Sequence, residues 1–236
     1  MISIPLFLTP EHACSYLEGE GAQSIFVHPS FQLTTTIYSE LIEQGFRRSG
    51  NDAYKPHCAH CAACMPARLA VTAFKANRSQ QRCLKKNRFT QTLIKPAVFE
   101  QAHYDLYLRY QKSRHSDGIM AHSSPDDYID FLSSSWCDTR FVEFSIEGEL
   151  ACVAVVDQLD HALSAVYTFF EPTFSSYSPG VYAVLWQIER AKRLKLDFLY
   201  LGFWIKNCAK MAYKSHYQPM QILLDKGWSE LSVKNK

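Results

Sequence analysis

An α+β fold is what the sequence predicts: a central, mostly antiparallel sheet with helices packed on it, plus an N-terminal cysteine-containing module. Three observations carry this. Apolar alternation marks three strands in succession between residues 140 and 170. Segments with helical periodicity flank that meander on both sides. Ahead of them lies Tyr54-Lys-Pro-His-Cys-Ala-His-Cys-Ala-Ala-Cys-Met-Pro-Ala-Arg68, a turn-rich stretch that follows neither period. At 236 residues there is material for one large domain or two small ones, and the expected division is 1–95 for the cysteine module and 96–236 for the sheet domain.

The elements follow in order. Residues 1–8 are apolar but lack a basic leader, contain Pro5 and run into Thr9-Pro-Glu-His12, so they read as no signal peptide. No apolar run approaches the length of a bilayer span, so no membrane is expected as a partner. The chain is expected in the cytoplasm with its thiols reduced, which argues against a disulfide framework. Gly19 and Gly21 mark a loop, and 24–27 reads as a short strand. Residues 34–44 place Ile37, Tyr38, Leu41 and Ile42 on one helical face, with Gly45 positioned to end it. Arg47 and Arg48 come next, and either complement the helix dipole or clamp an anion. A strand at 68–74 precedes a helix at 77–88, in which Leu84 packs inward. Helices at 101–115 and, behind the Ser124 cap and Pro125, up to 132 lead into strands 140–146, 150–157 and 163–170, the first two joined by a Glu147-Gly148 turn. A long helix (181–195), a strand (197–203), a short helix (208–216) and a strand (220–225) complete the chain. That order of elements is the order of the GCN5-related acyltransferase fold. Members that use acetyl-CoA hold its pyrophosphate on a glycine-rich loop before the long helix. Here the junction is Glu171-Pro-Thr-Phe-Ser-Ser-Tyr-Ser-Pro-Gly180, aromatic and poor in glycine, so the acyl donor is expected on another carrier.

Charge is nearly balanced, at a formal +2, yet it is segregated. Between residues 53 and 99 there is no Asp or Glu, while Lys55, Arg68, Lys75, Arg78, Arg82, Lys85, Lys86, Arg88 and Lys95 all fall there. This is a polyanion signature, and Arg78, Arg82 and Lys85/Lys86 recur at helical spacing. A solvated helix face is the bland alternative. Cys58, Cys61 and Cys64 are spaced to suit tetrahedral zinc or an iron-sulfur cluster, with His57, His60 or Cys14 as fourth ligand, or they are reduced structural thiols.

Ordered blocks along nearly the whole chain resemble the N-end rule aminoacyl-tRNA protein transferases, most closely the bacterial aspartate/glutamate leucyltransferases. They are Cys-Ser-Tyr-Leu (14–17), Gly-Phe-Arg-Arg-Ser-Gly (45–50), Tyr-Lys-Pro-x-Cys-x-x-Cys-x-x-Cys (54–64) and Arg-His-x-Asp-Gly (114–118). They continue with Ala-Val-x-Asp (154–157), Ala-Val-Tyr-Thr-Phe-Phe-Glu-Pro (165–172), Tyr-Leu-Gly-Phe-Trp-Ile (200–205) and Lys-Met-x-Tyr-Lys (210–214). The resemblance implies transfer of leucine from leucyl-tRNA to proteins with N-terminal Asp or Glu, which marks them for degradation, with no cofactor required for the chemistry. The basic, acid-free segment offers a place for that RNA, with Lys75, Arg78, Arg82, Lys85, Lys86 and Arg88 as the expected tRNA contacts. Eukaryotic arginyl relatives carry Cys-x-x-Cys near the N-terminus where this chain has Leu17, so a metal or cluster would be completed by Cys14 with Cys58, Cys61 and Cys64. Glu171 stands where the family usually has Asp.

Aminolysis of an aminoacyl ester needs two substrates held in line and a neutral amine, and an α-ammonium with a pKa of about 8 asks for only modest proton acceptance. Asp157 and Glu171, at strand ends, are the catalytic candidates, or else they make turn hydrogen bonds. An acidic acceptor side chain calls for a cation. Arg47, Arg48, Arg114 with its neighbour His115, and Lys214 are the candidates for it, or for tRNA phosphate. Tyr167, Phe169, Phe170, Phe203 and Trp204 are expected either to wall a leucine pocket or to belong to the core. An arginyltransferase, or a metal-stabilised RNA-binding protein without catalysis, are the competing readings.

Overall fold

The structure is a computed structural model that describes residues 3–114 and 118–232. It begins with strands β1 (Leu6–Leu8), β2 (His12–Ala13), β3 (Gly21–Ala22) and β4 (Ser24–Val27), then helix α1 (Thr35–Glu43). The Thr34 side chain accepts from the Ile37 N–H to open α1, and Tyr38, Leu41 and Ile42 form its buried face. Gly45 ends it in the left-handed conformation, at φ +86°. A hairpin follows, β5 (Arg47–Ser49) and β6 (Asp52–Pro56), which closes a small sheet of order β1-β4-β6-β5. Its turn needs Gly50: φ is +58°, and a Cβ there would stand 2.2 Å from the Asp130 carbonyl oxygen.

Next come β7 (Met65–Ala70), α2 (Arg78–Lys86), β8 (Gln91–Pro96), α3 (Gln101–Arg114) and α4 (Pro125–Leu132). Ser124 caps α4 as the sequence predicts, and Asp127 answers it with a reciprocal bond. The meander is β9 (Asp138–Ile146), β10 (Glu149–Gln158) and β11 (Ala162–Phe170). Then follow α5 (Pro179–Arg193), β12 (Phe198–Trp204), α6 (Ala209–Ala212), a 3-10 turn over Tyr213–His216, β13 (Met220–Leu224) and β14 (Gly227–Glu230). Eight strands form the central sheet in the order β14-β13-β7-β12-β11-β10-β9-β8, antiparallel except between β11 and β12.

β10 is buried without a break from Ala151 to Asp157 because both faces of the sheet are covered. Cys152, Ala154 and Val156 pack with Val184, Leu185 and Ile188 of α5. Val153 and Val155 pack with Leu106 and Tyr107 of α3 and with Tyr128 and Leu132 of α4 on the other face. This is the α+β architecture with the acyltransferase element order.

Two expectations shift. The strand expected at 68–74 lies at Met65–Ala70 and enters the sheet between β13 and β12. Its Ala67 and Leu69 fill the same core as α5. The helix expected at 208–216 is split into α6 and the 3-10 turn. Among the described residues no helix is long and apolar enough to cross a membrane.

Candidate active site

Arg48 and Asp157, expected as an anion clamp and a catalytic carboxylate, are each other's partners. Arg48 Nε and Nη2 donate to the two Asp157 oxygens, both at 2.7 Å. The same guanidinium donates to the carbonyls of Gly50, Leu132 and Ser133 and to Thr139 Oγ1, which in turn donates to Asp157. Both side chains are 0% exposed. Burial opposes the Arg48 charge and Asp157 overrides it, so the cation is held more firmly than usual. The pair ties β5, α4, β9 and β10 together.

The register also separates the two proposed carboxylates. Asp157 pairs with Ser164 near the β10–β11 turn, whereas Phe170, one residue before Glu171, pairs with Cys152 at the far end of the ladder. Glu171 sits in an ion pair with the half-exposed Arg109, 2.7 Å apart.

The opening in the sheet lies elsewhere, between β11 and β12. These parallel strands pair only over Ala162–Ser164 and Phe198–Tyr200, and then part. Each is bulged where they part: the β10–β11 register slips between Val155 and Val156, leaving Val166 as the extra residue, and the β12–β7 register slips between Tyr200 and Gly202. A bulge withdraws a backbone group from its ladder and re-aims it. The freed Val166 carbonyl accepts from Arg47 Nη2 at 2.7 Å. Gly202, at φ +73°, makes room, because a Cβ there would stand 3.0 Å from Arg47 Nη1. A cavity of about 10 Å³, the size of one water, is lined here by Arg47, Ser164, Gly202 and Phe203 among others.

Lys214 reaches the same opening from the 3-10 turn. It is 6% exposed, and its Nζ donates to the Phe203 carbonyl at 2.5 Å. Burial first, then the nearby Arg47 cation, lower its pKa to about 7, against an opposing pull from Cys208 and Cys64. Tyr16 and Tyr213 lie near Arg47; burial raises both hydroxyl pKa values, with Tyr54 adding to the rise at Tyr16, and Arg47 opposes the rise in each. Tyr167 also borders Arg47, and its hydroxyl accepts from Gln111.

Other expected residues fall away from this locus. Phe169 is fully buried against Tyr107 and Tyr128, and Trp204 is core, so these two do not wall the opening, whereas Phe203, also buried, lines the small cavity there. Phe170 is half-buried beside Tyr110, with the exposed Arg114 guanidinium 5.6 Å from its ring. His115 lies outside the described residues. Lys75, Arg78, Arg82, Lys85, Lys86 and Arg88 are all exposed. Lys55, by contrast, lies over the Phe46 ring, Arg68 is bound to Glu43 between Phe198 and Trp228, and Lys95 is bound to Glu100 and Glu143.

Cys14, Cys58, Cys61 and Cys64 share one neighbourhood. Burial, and then the other three thiols, push Cys64 up to about 12. Among the described residues, the grouping whose ligand atoms all lie within 4.8 Å of one another is instead Glu100, His103 and Glu143. The Lys95 ammonium is already bound there, 2.8 and 2.7 Å from the two carboxylates. Sequence spacing gives no sign of this group, nor of Arg47 meeting Val166.

Two family models cover the chain. The arginine-tRNA-protein transferase N terminus matches residues 12–82, and the C terminus of the same family matches 102–224. The chain belongs to the arginine-tRNA-protein transferase family. Similar relatives are the aspartate/glutamate leucyltransferases of Alcanivorax borkumensis (48% identical, covering 99% of this chain and 96% of the relative) and Marinobacter nauticus (46% identical, 98% and 98%). Among solved structures, FemX aligns with a TM-score of 0.48 at 8% identity, over 74% of this chain and 61% of that one. As a transferase of this family the chain builds the opening from both matched segments. Arg47 comes from the first; Val166, Phe203 and Lys214 come from the second.

Proposed function

We propose that this protein transfers leucine from leucyl-tRNA to the α-amine of proteins that begin with Asp or Glu, and that the parting of β11 and β12 is where the two substrates meet. The observation that supports this is the convergence of Arg47, Lys214 and two backbone carbonyls, those of Val166 and Phe203, in one opening of the sheet. The relatives named for that reaction match the chain from end to end.

Chemically, the acceptor's α-amine attacks the ester carbonyl of the aminoacyl group. The new amide bond forms as the ester C–O bond breaks, and the terminal ribose hydroxyl leaves with a proton. Lys214, its pKa lowered to about 7 and so partly deprotonated near neutral pH, takes the proton that the α-ammonium must lose. Arg47 has five N–H donors, one of them given to Val166, and grips the acceptor's acidic side chain with the rest. Glu171, paired with Arg109, and Arg114 beside Phe170 border the route by which the RNA end approaches. The exposed cations of α2 and its flanks, Lys75 to Arg88, hold tRNA phosphates.

The donor chemistry of the cysteine set, four soft thiols, suits a metal, and Cys14, Cys58, Cys61 and Cys64 would hold zinc or an iron-sulfur cluster as a structural brace once drawn closer, since among the described residues no three of their sulfurs lie within 4.8 Å of one another. Metal analysis of anaerobically purified protein checks this. The reaction itself is tested with purified protein, labelled leucyl-tRNA and a panel of peptides. Label is expected on peptides beginning with Asp or Glu and not on those beginning with Ala; absence of label from every peptide would sink the reading.

A further inference from the structure

Phe89 is 78% exposed, the highest value among the large hydrophobic side chains of the described residues, yet the turn that carries it is held firmly. Asn87, 1% exposed, donates to the carbonyls of Cys83 (3.0 Å) and Tyr177 (2.8 Å) and accepts from Thr90 Oγ1 (3.1 Å). The Thr90 N–H closes the turn on the Asn87 carbonyl at 3.0 Å. The backbone beneath the ring is therefore fixed, and the ring is presented to solvent.

Its surroundings are uniformly cationic. Arg82, Lys85, Lys86, Arg88 and Phe89 together line one shallow surface cavity. The Arg88 guanidinium lies 4.6 Å from the Phe89 ring centroid, and Lys86 Nζ donates to the Ser176 carbonyl at 2.8 Å. Among the described residues none of these four cations is in an ion pair. A rigid aromatic face ringed by cations is the construction that holds single-stranded nucleic acid, since every base has a face to stack and every nucleotide a phosphate. An anionic bilayer fits less well. The next exposed apolar residues, Leu93 and Ile94, are consecutive on β8, so they point to opposite faces of the sheet and extend no common apolar surface with Phe89.

We propose that Phe89 is a stacking platform for an unpaired base of an RNA strand whose phosphates lie against Arg82, Lys85, Lys86 and Arg88. This rests on the reading that α2 faces RNA. It adds which part of the RNA comes there: a base in a duplex is already stacked and cannot cover the ring. Asn87, Cys83 and Lys86 also bind α2 to residues 176–178, in the segment that links β11 to α5. The platform is thereby anchored to the chain that leaves the β11 side of the opening.

The test uses the full chain as wild type, Phe89→Ala and Phe89→Trp, with a short single-stranded RNA, a blunt duplex of equal phosphate number, and phosphatidylglycerol vesicles, each titrated across salt. Expected for Phe89→Ala is about a tenfold loss on the single strand, with an unchanged salt slope and no loss on the duplex; Phe89→Trp retains affinity. Equal losses on both RNAs, no loss on either, or a loss confined to vesicles overturns the platform. Leucine transfer by the wild type is measured alongside. If the single-strand effect appears without transfer, the platform stands and the reaction assigned above fails; if transfer occurs and Phe89→Ala binds the single strand normally, the reverse holds.

Discussion

Arg47 and Arg48 are neighbours in sequence with opposite roles, because successive side chains of a strand point to opposite faces. Arg48 turns inward and spends its charge on Asp157 and three carbonyls. Removing either partner leaves an uncompensated buried charge, so Arg48→Met or Asp157→Ala is expected to cost about 3–5 kcal/mol of stability. A denaturant titration reads this; a change below about 1 kcal/mol would show a surface-like pair. Lys214 makes the opposite prediction. Its folded-state pKa of about 7 lies below its ordinary 10.5, so between those values the unfolded chain binds a proton that the native chain does not. Stability contributed through this group therefore climbs as pH rises from about 7 towards 10.5, and is at its least favourable below that window. Lys214→Met is expected to raise the melting temperature at pH 7 while lowering transfer at least about 100-fold. Wild-type transfer is expected to rise as pH passes upward through about 7. A variant that loses stability and activity together, or a flat pH profile, contradicts the role of Lys214.

At the scale of elements, the basic helix shows what sequence reveals and what it hides. Lys75, Arg78, Arg82, Lys85, Lys86 and Arg88 are exposed as the charge pattern predicts, while Lys55, Arg68 and Lys95, from the same acid-free stretch, are engaged by partners within the chain. Composition cannot tell these apart, because the partners of Arg68 and Lys95 (Glu43, Glu100 and Glu143) all lie outside the stretch. Replacing Arg78 and Arg82 by Ala is expected to lower the steepness of the log-affinity against log-salt plot for tRNA by about 2. An unchanged slope would move the RNA elsewhere. The meander and α5 were legible because their apolar periods run for nine residues or more. β8 was not, because five of its six residues are exposed at a sheet edge and carry no alternation. β5 was hidden for a related reason: three residues with two adjacent arginines read as a cap or a clamp.

For the whole molecule, the central sheet is a joint product of both ends of the sequence. β7, from before the basic helix, pairs with β12 on one side and β13 on the other. Order along the chain predicted the acyltransferase-like half but not this insertion, since the partners of β7 lie more than a hundred residues away. The same distance explains why the opening was not read as a site: Arg47, Val166 and Lys214 come together only once two bulges and the strand order are known. The glycine-poor junction before α5 did point to a donor other than acetyl-CoA, in keeping with the family to which the chain belongs. A donor swap tests the central claim most directly, with leucyl-tRNA and arginyl-tRNA offered in parallel to a peptide that begins with Asp. The account predicts that leucine is transferred, that arginine is not, and that Lys214→Met abolishes the transfer; arginine moving in place of leucine, or leucine moving undiminished in Lys214→Met, would contradict it.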